Sequence, residues 1–209
     1  MTDPTSHSKS DKPQGFAPLR WRMVDIITCA VLAVAFGVVF WAWNLMWAFS
    51  TPALEAVYPP LKGILYGVWL IPAVLAPLIV RKAGASVFTE GLAASVSLLM
   101  GSQWGVLVAV QGVVQGLGGE LAFAGGRYRH YNRGIAILAG ALAATTATIW
   151  DVFAYYSATG LWTFQVPFVL ISATSGAIVA GLGSWYLMRA LLPTGALNSL
   201  AAGAERERI

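Results

Sequence analysis

MVDIITCAVLAVAFGVVFWAWNLMWAF, residues 23–49, contains one charged side chain, Asp25, in 27 positions. As a helix rising about 1.5 Å per residue it is long enough to cross a hydrocarbon core of about 30 Å. Working outward, comparable apolar runs follow at about 61–80, 84–100, 102–124, 134–157 and 165–191. The whole chain of 209 residues is 57% hydrophobic and 11% charged, with a mean hydropathy of +0.68. A soluble domain carries about 25% charged residues, so an ordinary globular fold is excluded. The expected fold is an all-α integral membrane protein, a bundle of six transmembrane helices.

The breaks between runs carry helix-ending residues. Pro52, Pro59 and Pro60 interrupt the first connection, Gly84 follows the Arg81-Lys82 pair, Gly101 separates the third and fourth runs, and Pro167 suits a first helical turn. Pro72 and Pro77 are expected to kink the second run. Residues 1–20 are polar and read as a disordered cytoplasmic tail, 21–192 as the membrane domain, and 193–209 as a second cytoplasmic tail.

The net charge of +4 acquires meaning from its distribution. Lys9, Lys12, Arg20 and Arg22 precede the first run, Arg81 and Lys82 join the second to the third, Arg127, Arg129 and Arg133 join the fourth to the fifth, and Arg189, Arg206 and Arg208 follow the sixth. Lys62 is the one basic residue on the other side, so twelve of thirteen obey the positive-inside rule with both chain ends in the cytoplasm. This pattern reports orientation in a cell membrane and argues against a nucleic-acid partner. One cysteine, Cys29, gives neither a disulfide framework nor a Cys-based metal site. With His7 and His130 the only histidines, intramembrane haem ligation and Ser-His catalysis are disfavoured. No GxxxxGK[ST] phosphate loop is present, so ATP-driven transport would need energy from another polypeptide.

Acids inside apolar runs mark candidate function, because an ionisable group in hydrocarbon costs at least ~2.5–3.5 kcal/mol. Asp25 and Glu120 lie near run ends beside cations and read as structural. Glu90 lies about 10 Å inside the third run by helical rise. It either pairs with Gln111 or Gln115 on the neighbouring run or contacts a ligand. Asp151, flanked by Trp150 and with Tyr155 one turn later, would line an outward-facing pocket. Trp41, Trp43, Asn44, Trp47, Tyr58, Tyr66, Gln103, Trp104 and Trp162 gather at the same ends. An interfacial aromatic belt accounts for some of them. Phe40, Asn44 and Trp47 on one helical face, with an amide in the middle, instead suit a flat, nitrogen-rich, cationic ligand. Small residues at four-residue spacing (Cys29, Ala33 and Gly37; Gly112 and Gly116; Ala173, Ala177 and Gly181) permit close helix contact, and the first strip is the candidate for contact with another subunit.

The stretch from Tyr66 to Glu120, with GVWLIPAVLAPLIVRKAGASVFTE followed by GSQWG and QGLGGE, resembles the YkoE-type substrate-binding (S) components of energy-coupling factor (ECF) vitamin transporters. The resemblance runs from about Arg22 to Leu192. It implies a six-helix subunit, not an enzyme and without a cofactor, that binds thiamine or its hydroxymethylpyrimidine precursor. Such a subunit docks on a transmembrane coupling protein driven by two cytoplasmic ATPases. S-components generally dock through small residues of the first helix, often AxxxA; Cys29, Ala33 and Gly37 stand in that place here. Under this reading Glu90 meets the aminopyrimidine, Asp151 with Trp41, Trp47, Trp104 and Trp162 faces a thiazolium, and Asn44, Gln111 and Tyr155 complete the site. The alternative is a self-sufficient proton-coupled secondary transporter using Glu90 and Asp151 as proton carriers.

Overall fold

The computed structural model describes residues 20–206; residues 1–19, which hold nearly all of the expected N-terminal tail, and 207–209 lie outside the described part. Every regular element among the described residues is helical, joined by turns. In order come α1 (Met23–Val57), a 3-10 segment (Pro59–Leu70), α2 (Ile71–Val80), α3 (Ala85–Leu99), α4 (Leu107–Gly125) and α5 (Arg133–Tyr155). A π-helical turn (Leu161–Gln165), α6 (Val166–Ser175), a π-helical segment (Gly176–Leu182) and α7 (Gly183–Leu191) then form one continuous rod, and a short α8 (Ala201–Arg206) ends the described chain. Five of the resulting rods are long and apolar enough to cross a membrane, and Ala85–Leu99 is a shorter apolar helix.

Several boundaries differ from the sequence expectation. Pro52 does not end the first helix; α1 continues through it to Val57. The second rod is 3-10 for its first 12 residues and becomes α-helical only at Ile71, with Pro72 at the second helical position. Residues 102–106 form a turn ahead of α4, which starts at Leu107. The C-terminal segment is not a free tail: Leu197, Leu200 and Ala202 are buried in the core, and Ser199 accepts a hydrogen bond on its carbonyl from Arg22.

The second rod is the most enclosed, with every residue of α2 from Pro72 to Val80 buried. The other helices wrap it, and small residues let them approach. A Cβ on Gly140 would come within 2.2 Å of the Gly176 carbonyl oxygen, so α5 meets the sixth rod backbone to backbone. A Cβ on Gly37 would fall 2.5 Å from the Val96 Cβ, which presses α1 onto α3. Cys29 and Ala33, fully buried, continue the same stripe. The strip expected to dock another subunit is therefore internal packing between α1 and α3. The face of α1 turned outward carries Val31, Val34, Ala35, Val38 and Ala42.

At the basic end the acids are consumed by the fold. Asp25 accepts hydrogen bonds from the Arg22 backbone and guanidinium at 2.9–3.2 Å and lies 3.8 Å from Lys82 Nζ. Glu120 accepts from the backbone N–H groups of Gly84 and Ser86 at 2.6 and 3.1 Å, where the first turn of α3 leaves donors without helical partners. Burial and the Glu120 carboxylate hold the Tyr128 hydroxyl well above its usual pKa range. The structural reading of both acids agrees with this geometry.

Candidate functional site

At the opposite end, α1, the 3-10 segment, α3, α4 and α5 bound a pocket with about 520 Å³ of atom-free space, solvent at its mouth included. Its walls follow from helical spacing. Phe40, Asn44 and Trp47 on the buried face of α1 all line it. The 3-10 segment supplies Tyr66 and Trp69, three residues apart, which three residues per turn stacks directly above one another. Gln111 and Gln115 come from α4, and Asp151 and Tyr155, one turn apart, from α5.

Trp47 is the hub of the aromatic wall, its ring 5.7 Å from Tyr66, 5.2 Å from Trp69 and 6.0 Å from Trp104. Trp104 reaches Tyr155 at 6.0 Å, and Tyr155 reaches Tyr156 at 6.4 Å. Polar groups are set into this wall at two points. Asp151, 3% exposed, accepts a hydrogen bond from Gln111 Nε2 at 2.8 Å on one oxygen and from the Tyr66 hydroxyl on the other. A carboxylate offers about four acceptor positions, so each oxygen retains capacity for a donor in the pocket. Asn44 accepts from the Trp104 indole N–H at 3.3 Å and donates to Ser97 Oγ and Ser102 Oγ at 3.4 and 3.3 Å. These bonds fix the ring and the amide together.

The one cation expected at this end is also built in. Lys62, 5% exposed, pairs with Glu55 at 2.8 Å and lies over the Tyr156 ring at 4.2 Å and the Phe164 ring at 5.1 Å. Glu55 lies on the part of α1 beyond Pro52, so this extra length of helix supplies the counter-ion.

Of the residues singled out by sequence, the structure brings Asn44, Trp47, Trp104, Gln111, Asp151 and Tyr155 together in this pocket. Three fall elsewhere. Trp41, 36% exposed, and Trp162, 78% exposed, turn outward, as belt tryptophans do. Glu90 is fully buried one turn beyond the pocket-lining Ala94. It pairs with neither Gln111 nor Gln115; its Oε2 accepts the Ala73 backbone N–H at 2.9 Å. Sequence reasoning missed Trp69, Ser97 and Tyr156 and gave Gln115 another role. Trp69 lies three residues after Tyr66, a spacing that shares a face in α- and 3-10 helices alike, and Tyr156 adjoins Tyr155, so both carried a usable signal.

A recessed carboxylate, amides and a wall of aromatic rings at one end of a bundle of apolar helices are the features of a small-solute site in a membrane protein. Residues 24–146 match the family model of the permease component of ABC-type cobalt transport systems. The HMP/thiamine permease protein named YkoE, from Bacillus subtilis (strain 168), is 32% identical over 189 residues, covering 90% of this chain and 93% of the relative. A crystal structure of an S-component of an ECF transporter superposes with a TM-score of 0.83 at 31% identity, covering 90% of this chain and 94% of the other. The chain belongs to this family of ECF-type S-components, multi-pass transport subunits of the cell membrane.

Proposed function

We propose that the chain captures thiamine or its hydroxymethylpyrimidine precursor in the aromatic pocket and hands it to an ECF coupling protein driven by two cytoplasmic ATPases. The observation that carries this reading is the Asp151 carboxylate, held by Tyr66 and Gln111 within a wall of indole and phenol rings. An aminopyrimidine supplies donors to a carboxylate and a flat face to rings, and a thiazolium adds a cation for the ring faces. The pocket opens outward in this reading, with six crossings and both ends inside, in accord with the basic residues gathered at the opposite end.

The family model's cobalt description does not suit this donor set. Asp151 is accompanied by amides, hydroxyls and indoles, whereas cobalt sites favour imidazole, carboxylate and thiolate donors gathered in number. Docking falls to outward faces of the bundle. The exposed side of α1, the least buried of the long apolar helices, is the surface we assign to it in place of the buried Cys29, Ala33 and Gly37 strip.

The test is calorimetric titration of the purified full chain with thiamine, hydroxymethylpyrimidine and Co²⁺, together with uptake in cells with and without the coupling proteins. One-to-one binding of a pyrimidine, no binding of Co²⁺ and uptake only in the presence of the coupling proteins are expected. Uptake by the chain alone in liposomes under a pH gradient would overturn the reading in favour of a proton-coupled carrier.

A further inference from the structure

A 3-10 helix of 12 residues is unusual, since runs beyond 3–4 residues are uncommon and hydrogen-bond geometry is poorer than in an α-helix. Pro59–Leu70 therefore depends on its surroundings. Along its middle Ser175 Oγ accepts the Gly67 N–H at 3.1 Å and donates to the Ile64 carbonyl at 2.5 Å, and the Trp43 indole donates to the Leu65 carbonyl at 2.9 Å. At its C-terminal end the segment must convert to α-helix within a few residues. Val68 accepts the Ile71 N–H in 3-10 fashion, Pro72 has no N–H, and the next donor, Ala73, gives its N–H to Glu90 Oε2. Ser184 Oγ donates to the Ile71 carbonyl at 3.2 Å. Both side chains are fully buried, so two hydrogen bonds from α3 and α7 clamp the junction.

The junction matters because of what precedes it. Tyr66 and Trp69 line the pocket with ring centroids 5.6 Å apart, and Tyr66 donates to Asp151. If the segment rewound as α-helix, residues three apart would separate by about 60° around the axis. The rise would also fall from about 2.0 to about 1.5 Å per residue, drawing Tyr66 away from Asp151. Glu90 Oε1 has no hydrogen-bond partner, and an idle buried carboxyl oxygen is destabilising, so fold stability alone does not account for an acid at this position.

We infer that Glu90 is a positioning residue for the binding site: without touching the ligand, it fixes the 3-10-to-α junction at Ile71 and so sets Tyr66 and Trp69 against Asp151. This rests on the binding reading above. It predicts that the acceptor atom matters and the negative charge does not.

The test is titration of purified full-length variants with thiamine and hydroxymethylpyrimidine. Glu90→Gln, which keeps an oxygen for Ala73, should bind both within about threefold of the native chain, and Glu90→Met should weaken both at least about tenfold, the loss expected for one well-made hydrogen bond. In a Trp69→Phe background the Glu90→Met factor should shrink below about threefold, because residues acting through one another are not additive. Ser184→Ala, a milder lesion of the same clamp, should weaken binding in the same direction and carries the test if Glu90→Met does not fold. Native affinity in Glu90→Met or Ser184→Ala, equal loss in Glu90→Gln, or an unchanged factor in the Trp69→Phe background would overturn the inference. If the native chain bound neither pyrimidine, the binding reading would fail separately. Amide exchange over residues 64–73, faster in Glu90→Met if the clamp is real and unchanged if it is not, would still decide the role of Glu90.

Discussion

Asp25 and Asp151 are both buried carboxylates near the end of a long helix, and the two ends of the molecule use them in opposite ways. At the basic end Asp25 is met by Arg22 and Lys82, and nearby Glu120 is taken up by backbone donors of α3. At the pocket end Asp151 is held by two neutral donors and faces open space among rings. A buried acid answered by cations and helix termini completes a fold. One held by neutral groups at the wall of a cavity keeps acceptor positions available to a ligand.

The sharpest way to break this comparison is to neutralise the pocket acid. Asp151→Asn should weaken thiamine by about 1.5–3 kcal/mol, the range for hydrogen bonds to charged groups, and the neutral hydroxymethylpyrimidine by less. Parallel calorimetric titrations check this, and equal losses for both ligands would remove the charge from the account. Trp104→Ala should cost about 0.5–2 kcal/mol of thiamine affinity through the lost ring face, and it also releases Asn44. At the other end Asp25→Asn should lower stability by about 1–3 kcal/mol without changing affinity, read as a shift in thermal unfolding beside an unmoved dissociation constant. Glu120→Gln should do the same on a smaller scale, about 1 kcal/mol for a weakened helix cap. Trp162→Ala, at an exposed site, should leave affinity within about twofold, and a larger effect would move the pocket boundary outward.

Much of this division was legible in the sequence. The apolar runs gave the helical rods, and the distribution of lysine and arginine separated the two ends. The buried face of α1 was readable at Phe40, Asn44 and Trp47 because that helix is regular and 3.6-residue spacing applies. The reading failed at three points. Trp69 went unnoticed although it lies three residues after Tyr66, a spacing that shares a face in either kind of helix. Glu90 was read either beside Gln111 or Gln115 or against a ligand, from depth alone; depth does not fix which way a side chain turns, and it turns toward α2. The Cys29, Ala33 and Gly37 strip showed a close helix contact correctly but not its partner, since small residues serve an internal neighbour and a separate subunit equally well.

The most direct test of the central claim, that Asp151 and the surrounding rings form the capture site, is an experimental structure of the full chain with thiamine or hydroxymethylpyrimidine bound. The pyrimidine is expected among Trp47, Trp69 and Trp104, with a ring or amino nitrogen within hydrogen-bond distance of an Asp151 carboxylate oxygen and Glu90 still on the Ala73 N–H. A ligand seated against Glu90, or in the apolar groove between α5 and α6 lined by Val152, Phe153 and Val166, would contradict it.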